Sequence, residues 1–353
     1  MLIPLLPQFP TKSSKMDTLE VSLNPTMETD VAKDLELWMT NLPQKLRTTP
    51  IIHLAIPGSH DSTTYGITSK SKIAPDAEPI YKWLRFLGPI FKKVMVNWSK
   101  TQTVTVTLQL QSGIRYFDLR ISTKEKDDHF YFVHGLYGDE VAKILDEIKE
   151  FLETHPKEVV ILDCQHFYAF QQSDHERLMY LLTSTFGHKL LPYMSHMEHI
   201  SLQYMTECRY QVIVVYRSDA ARFGQPLLWP AVCFRNPWAE TVSIPKLITF
   251  LTDTLKSRNP SMGFVSQCVL TPTTWFVVKH LFSCLKKQCL LPLQRDKYKW
   301  LRMQRPGRGG LNIVISDFAE FEDGRFARAV VGLNRKLLRE GERDELTPID
   351  GGR

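Results

Sequence analysis

The 353 residues are enough for one large domain or two smaller ones, and 43% hydrophobic with 23% charged residues is the balance of a folded globular chain with a sizeable core. The net charge of +6, from 44 Lys and Arg against 38 Asp and Glu, is too mild to signal a nucleic-acid partner unless gathered in one patch. No RNP, zinc-finger or helix-turn-helix pattern gathers it, so nucleic acid is set aside, while a modest preference for anionic surfaces, membranes included, stays open.

Residues 1–34 are rich in Pro, Ser, Thr and Met without sustained periodicity and read as a flexible lead-in. Their apolar start, "MLIPLLPQFP", has three prolines, no basic leader and no small-residue cleavage site, so it makes a poor signal peptide. From Leu35 onward short β-type runs alternate with helical ones, the signature of parallel βα units. The predicted strands are 51–56, 113–121, 129–133, 159–165, 211–216, 231–234, 263–269 and 311–316, and eight of them suggest a single-domain α/β fold, a TIM-type (β/α)₈ barrel. The clearest helix is "DEVAKILDEIKEFLETHP", where Val141, Ile144, Leu145, Ile148, Phe151 and Leu152 keep 3.6-residue spacing. Residues 243–258 and 324–340 look similar. Between the first two strands, "YKWLRFLGPIFKKVMVNW" mixes aromatic, aliphatic and basic residues; it reads as a helix packed over the barrel or, in a sharper reading, as an amphipathic lid touching a membrane.

Cys164, Cys208, Cys233, Cys268, Cys284 and Cys289 form no CxxC pair, and several lie in apolar runs, a pattern that fits a reducing compartment. No apolar run approaches the roughly 20 residues of a membrane span. A cytoplasmic protein is expected, and the sequon Asn97-Trp98-Ser99 is then unused.

Candidate chemistry starts at "AIPGSHDSTTYG". Pro57-Gly58 after an apolar run is expected to end the strand in a turn and to leave Ser59, His60 and Asp61 just past its carboxyl end, where parallel α/β sheets bind ligands. A surface turn is the plainer reading. In "SGIRYFDLRIS", alternation puts Phe117, Leu119 and Ile121 on one face and Tyr116, Asp118 and Arg120 on the other, which a barrel turns inward. An isolated Asp-x-Arg is usually a structural ion pair, but a buried idle pair is costly to desolvate. "FVHG" sets His134 at a strand end, and "NIVISDF" sets Asp317 at another, beside His60 if the last strand closes on the first; packing and helix capping are their plainer roles. Two histidines and an arginine can cleave a phosphodiester: one imidazole takes a proton, one gives a proton, and the guanidinium neutralises phosphoryl charge.

In this order "IPGSHDS", "GIRYFDLRIS", "FVHG", "HPKEVVILDCQHF" and "NIVISDF" resemble the X-domain of phosphatidylinositol-specific phospholipase C, in particular the X-domain-containing proteins that lack pleckstrin, EF-hand and C2 modules. The resemblance covers about residues 35–340 and leaves 341–353 as a tail. It implies hydrolysis of phosphatidylinositol to diacylglycerol and an inositol (cyclic) phosphate at a membrane surface touched transiently. By that resemblance His60 is the general base on the inositol 2-hydroxyl, supported by Asp317; His134 is the general acid, partnered by Asp61; Asp118 and Arg120 are the inner pair of the second strand. Calcium-dependent relatives place ligands at Asp61, Asp118, Arg120 and Gln165, but a guanidinium cannot ligate Ca²⁺. Arg120 is therefore expected to replace the ion, as in the bacterial metal-independent branch, with no cofactor required. Arg217 and Trp238 fall where that branch has an inositol-contacting arginine and a stacking aromatic, Gln165 where it has lysine, and Asn236 where it has a carboxylate.

Two rival readings remain: an X-domain that binds inositol lipids or a protein partner with little or no catalysis, and a glycerophosphodiesterase, which calls for a metal and an HRG-type motif absent here. "HMEH" at 196–199 lacks HExxH spacing, "RPGRGG" precedes a strand instead of joining one to a helix, and "TTWFVVKHLFSCL" reads as a half-buried helix.

Overall fold

Continuous β-branched runs such as Val212-Ile213-Val214-Val215 suit strands buried on both faces, which is how parallel strands lie between helices. In the computed structural model, which describes residues 34–77 and 88–338, ten strands are present: β1 (Ile56–Ser59), β2 (Tyr116–Lys124), β3 (Asp127–Val133), β4 (Tyr137–Glu140), β5 (Val160–Tyr168), β6 (Val212–Tyr216), β7 (Leu228–Trp229), β8 (Phe234–Arg235), β9 (Gly263–Gln267) and β10 (Ile313–Ser316). Eight of them pair in parallel in the order β7-β6-β5-β2-β1-β10-β9-β8. No ladder joins β7 to β8 among the described residues, so the α/β barrel has an open seam there. The register Ser59↔Ser316 sets the ends of β1 and β10 side by side, as the expected closure of the last strand on the first requires.

The strand expected at 51–56 is displaced. Ile51–His53 forms a 3₁₀ turn, and β1 begins at Ile56 and runs through Pro57 and Gly58. Pro57 lacks an N–H but its carbonyl accepts from Arg115 N (2.9 Å). Gly58 is needed for close approach, since a Cβ there would lie 2.8 Å from Tyr116 Cδ1 and 2.9 Å from Ile315 Cγ2. His60 still falls immediately past the strand end.

The run at 129–133 is a strand but not a barrel strand. Only Glu125 and Lys126 separate β2 from β3, too few residues for a parallel crossover, so β3 turns back antiparallel on β2 and continues to β4. The eighth parallel strand is instead the two-residue β7, too short for its alternation to show in sequence. Most of 231–234 is a 3₁₀ turn, Ala231–Cys233, that leads into β8.

The helix Val141–Thr154 buries the six apolar residues its spacing marks, and 243–258 forms the helix Ile244–Lys256. Residues 324–338 fall on Phe321–Gly332 and Arg335–Leu338, with a turn at Leu333-Asn334 between them and left-handed backbone at Glu322, Asp323 and Gly324. Of the mixed segment 81–98, residues 81–87 lie outside the described set, as do 1–33 and 339–353. The rest is the helix Pro89–Ser99, whose Phe91 and Met95 pack with Ile67 and Leu136 over the barrel. No helix among the described residues is long and apolar enough to cross a membrane.

Candidate active site

Five of the predicted residues meet at the carboxyl ends of β1, β2 and β10. His60 follows β1, and its Nδ1 lies 2.7 Å from Asp317 Oδ1, which follows β10. A carboxylate only accepts, so the Nδ1 proton points at Asp317 and Nε2 is left facing the site. Asp61 Oδ2 lies 3.6 Å from that Nε2, and Asp118 Oδ2 lies 3.9 Å from it. Arg120 Nε pairs closely with Asp61 Oδ1, and Arg120 Nη2 reaches to 3.3 Å from His60 Nε2.

His134 joins from beyond β3. Its Nε2 stands 3.3 Å from Asp61 Oδ2, and its Nδ1–H donates to the Ser99 carbonyl at 2.7 Å. Because a carbonyl cannot donate, that contact fixes the tautomer and leaves Nε2 as the working nitrogen.

The backbone is bent to make this possible. Asp61 has φ 39 and Phe318, just after Asp317, has φ 47, both left-handed positions that cost energy in a non-glycine residue. The bend at Asp61 is held by its N–H donating to Asp118 Oδ2 (3.2 Å) and by Thr101 Oγ1 donating to its carbonyl (2.9 Å). Gln102 Nε2 donates to the carbonyls of His60 and Ser316 (2.9 and 3.0 Å), and its Oε1 accepts from Ala319 N, tying the two loops together.

Burial pushes His60 down, but Asp61, Asp317 and Asp118 outweigh it and raise the imidazole to about 9. Burial would raise Asp61, yet Arg120, His134 and His60 hold it below the usual carboxylate range. Asp118, pushed by burial and by Asp61 against the pull of Arg120 and His60, rises to about 6. The Arg120–His60 contact needs an unprotonated Nε2, whereas the surrounding carboxylates favour the imidazolium.

A cavity of about 210 Å³ opens on this cluster, lined by His60, Arg120, His134, Asp317, Asp76 and Trp238 among others. Asp76 Oδ2 accepts from Gly135 N at 2.7 Å beside His134, and its carboxyl is raised, chiefly by burial. Asp76, Ser99, Thr101 and Gln102 were not visible as site residues. They come from the long connection between β1 and β2.

Residues 93–218 match the family model described as phosphatidylinositol-specific phospholipase C, X domain. PI-PLC X domain-containing protein 3 of Homo sapiens is 42% identical over 309 residues, covering 86% of this chain and 95% of its own. The chain belongs to the PI-PLC X-domain family. PI-PLC X domain-containing protein 1 of Homo sapiens is 37% identical over 310 residues, 86% of this chain and 93% of that one. Among solved structures, the phosphatidylinositol-specific phospholipase C from Listeria monocytogenes matches with a TM-score of 0.59 at 19% identity, covering 85% of this chain and 98% of its own. A point variant of the Staphylococcus aureus enzyme does so with a TM-score of 0.59 at 15% identity, covering 86% and 98%. These two share the barrel fold with this X-domain.

The residues expected to bind substrate divide. Trp238 lines the cavity, with Nε1 donating to Thr271 Oγ1 at 2.7 Å. Arg217 and Gln165 do not line it. Arg217 is taken up by buried Asp163, Nε to Oδ1 at 2.8 Å and Nη2 to Oδ2 at 2.7 Å, with Nη2 also donating to the Phe234 carbonyl. Gln165 Nε2 donates to Tyr116 Oη and Asp163 Oδ2, and Asn236 pairs with Gln267 (2.8 Å) in the same inner network.

His60, Asp61 and Asp118 each present a donor atom within 4.8 Å of the others. Calcium takes six to eight oxygens. Here one donor is an imidazole, and the Asp61 carboxylate is already paired to a guanidinium, so this donor set does not fit that ion.

Proposed function

We propose that this X-domain is a phosphoric diester hydrolase that cleaves phosphatidylinositol without requiring Ca²⁺. The observation that supports it most is the pair of tautomer-fixed histidines whose Nε2 atoms flank one Asp61 oxygen next to Arg120. In this reading the inositol 2-hydroxyl attacks phosphorus and its proton goes to His60 Nε2, whose charge Asp317 balances. The bond from phosphorus to the glycerol oxygen breaks, and that oxygen takes a proton from His134 Nε2. The products are diacylglycerol and a cyclic inositol phosphate, which water opens when the histidines act in reverse. Arg120 and Asp118 set the charge around the phosphoryl oxygens. Each proton transfer is typically worth 10²- to 10⁴-fold in rate.

The reading includes a phosphatidylinositol-bearing membrane as partner, met transiently by a cytoplasmic protein. Trp275 and Phe282, 74% and 88% exposed, stand on the 270–285 segment that also lines the cavity, with Lys279 nearby. The stretch expected to be a half-buried helix is thus a six-residue helix, Thr274–Lys279, which exposes Trp275, followed by turns that expose Phe282. Trp and Phe flanked by Lys suit the boundary between headgroups and acyl chains.

A reading as a lipid-binding module draws on Arg217, whose Nε and Nη2 are spent on Asp163 and Phe234. Release of water-soluble inositol phosphate from phosphatidylinositol vesicles, comparing wild type with His60→Ala, separates the two. Hydrolysis present in wild type and absent from the variant supports the enzyme; vesicle binding with no hydrolysis by wild type supports the module.

A further inference from the structure

Lys297, on the helix Leu291–Met303, is only 2% exposed and is one of the largest fully buried side chains. Its ammonium reaches the outside of the barrel wall directly behind the site, where Nζ donates to Ser316 Oγ at 3.0 Å. Ser316 Oγ in turn donates to the Asp317 carbonyl at 2.9 Å, and the Ser316 carbonyl receives His60 N at 3.2 Å. The residue that carries the support for the base is thus gripped from behind by a buried cation.

A buried cation is costly unless paired, yet Lys297 has no ion-pair partner among the described residues. It lies between the faces of Tyr298 and Phe326, at 5.3 and 5.2 Å from the ring centroids. The charged and titratable groups around it are Cys268 after β9, Asp317 after β10, and Glu322 and Arg325 on the helix Phe321–Gly332. Burial lowers its ammonium to about 8, with Cys268, Asp317 and Glu322 pulling it up and Arg325 pushing it down. Leucine or methionine would fill the same space without the desolvation penalty, so what the cation holds explains its presence better than packing does.

We propose that Lys297 is a positioning residue for the reaction: through Ser316 it fixes the turn that aims Asp317 at His60, and its charge tempers the pull of Asp317 on the imidazole. The inference rests on the enzyme reading above. A misaimed carboxylate leaves the substrate contacts intact, so it lowers kcat and spares KM; misplacements of about 1 Å can cost on the order of 10²-fold.

The test uses the full chain and phosphatidylinositol vesicles. Lys297→Met and Ser316→Ala are expected to lower kcat roughly 10- to 100-fold with KM unchanged. In Lys297→Met the alkaline-going rise of kcat/KM should also move to higher pH, because removing a positive charge makes His60 harder to deprotonate. A Lys297→Met protein that folds with wild-type kcat and pH profile would overturn the proposal, and so would a loss that tracks only the unfolded fraction. If Lys297→Met does not fold, Ser316→Ala carries the kcat test. If the wild type hydrolyses nothing, the enzyme reading fails by itself. Proton NMR of the His60 Nδ1–H still decides the positioning: a downfield signal in the wild type that shifts or vanishes in the Lys297 or Ser316 variant supports it, and an unmoved signal overturns it.

Discussion

His60 and His134 turn the same ring nitrogen toward one carboxylate oxygen: Nε2 of His60 lies 3.6 Å and Nε2 of His134 3.3 Å from Asp61 Oδ2. Asp61 thereby links the two histidines, base and acid in the proposed reaction, while its other oxygen pairs with Arg120. Asp61→Asn keeps the size but removes the anion, leaving Arg120 without its partner and His134 without a charged acceptor. Hydrolysis of phosphatidylinositol vesicles is expected to fall by roughly 10²-fold or more. Near wild-type turnover in the folded variant would detach Asp61 from the chemistry.

The protonation of His60 gives a signed prediction. In the proposed reaction its neutral form is the base, and the surrounding carboxylates raise its pKa to about 9, so kcat/KM should climb with pH through the neutral range. Asp317→Asn removes one of the charges that hold the imidazolium, so the climb should move to lower pH. The amide can also turn its NH2 donor toward Nδ1, so the Nδ1–H tautomer is no longer fixed, and the plateau should drop by about 10²-fold or more. A pH–rate profile of the two proteins checks both; a rise that moves to higher pH contradicts the assignment of that limb to His60.

Arg217 is held as a structural partner of Asp163, whose side chain is fully buried. Arg217→Ala strands a buried carboxylate and is expected to cost about 3–5 kcal/mol of stability. Chemical denaturation measures this directly. A variant of unchanged stability whose only defect is a raised KM would restore Arg217 to the substrate site.

Gly58 is fixed by close packing, with Tyr116 and Ile315 where a Cβ would go. Gly58→Ala is expected to destabilise by about 1–3 kcal/mol, through strain passed to β2 and β10 on either side of His60. A denaturation midpoint equal to wild type would show that the two neighbours yield freely.

What the sequence discloses and what it hides follow physical lines. Alternation in β2 places Asp118 and Arg120 on the inner face, and the closure of β10 on β1 brings Asp317 to His60, because side-chain period and parallel pairing act over a few residues. β3 reads as a barrel strand because a strand's pattern says nothing of its partner, and only the two-residue link Glu125-Lys126 marks it as turning back on β2. β7 escaped because two residues carry no period. Ser99, Asp76 and Gln102 act through a backbone carbonyl, a backbone amide acceptor and a loop tie, roles that leave no mark in residue type. The fate of Arg217 depended on Asp163, a neighbour across the β5–β6 ladder that only the folded register reveals.

The most direct test is a ³¹P NMR time course of phosphatidylinositol in mixed vesicles with the full chain and EDTA. A five-membered cyclic phosphodiester is expected to appear first, then a slower acyclic monoester, and neither product with His60→Ala. Turnover that needs added Ca²⁺, a monoester formed with no cyclic precursor, or activity that survives His60→Ala would contradict the proposed reaction.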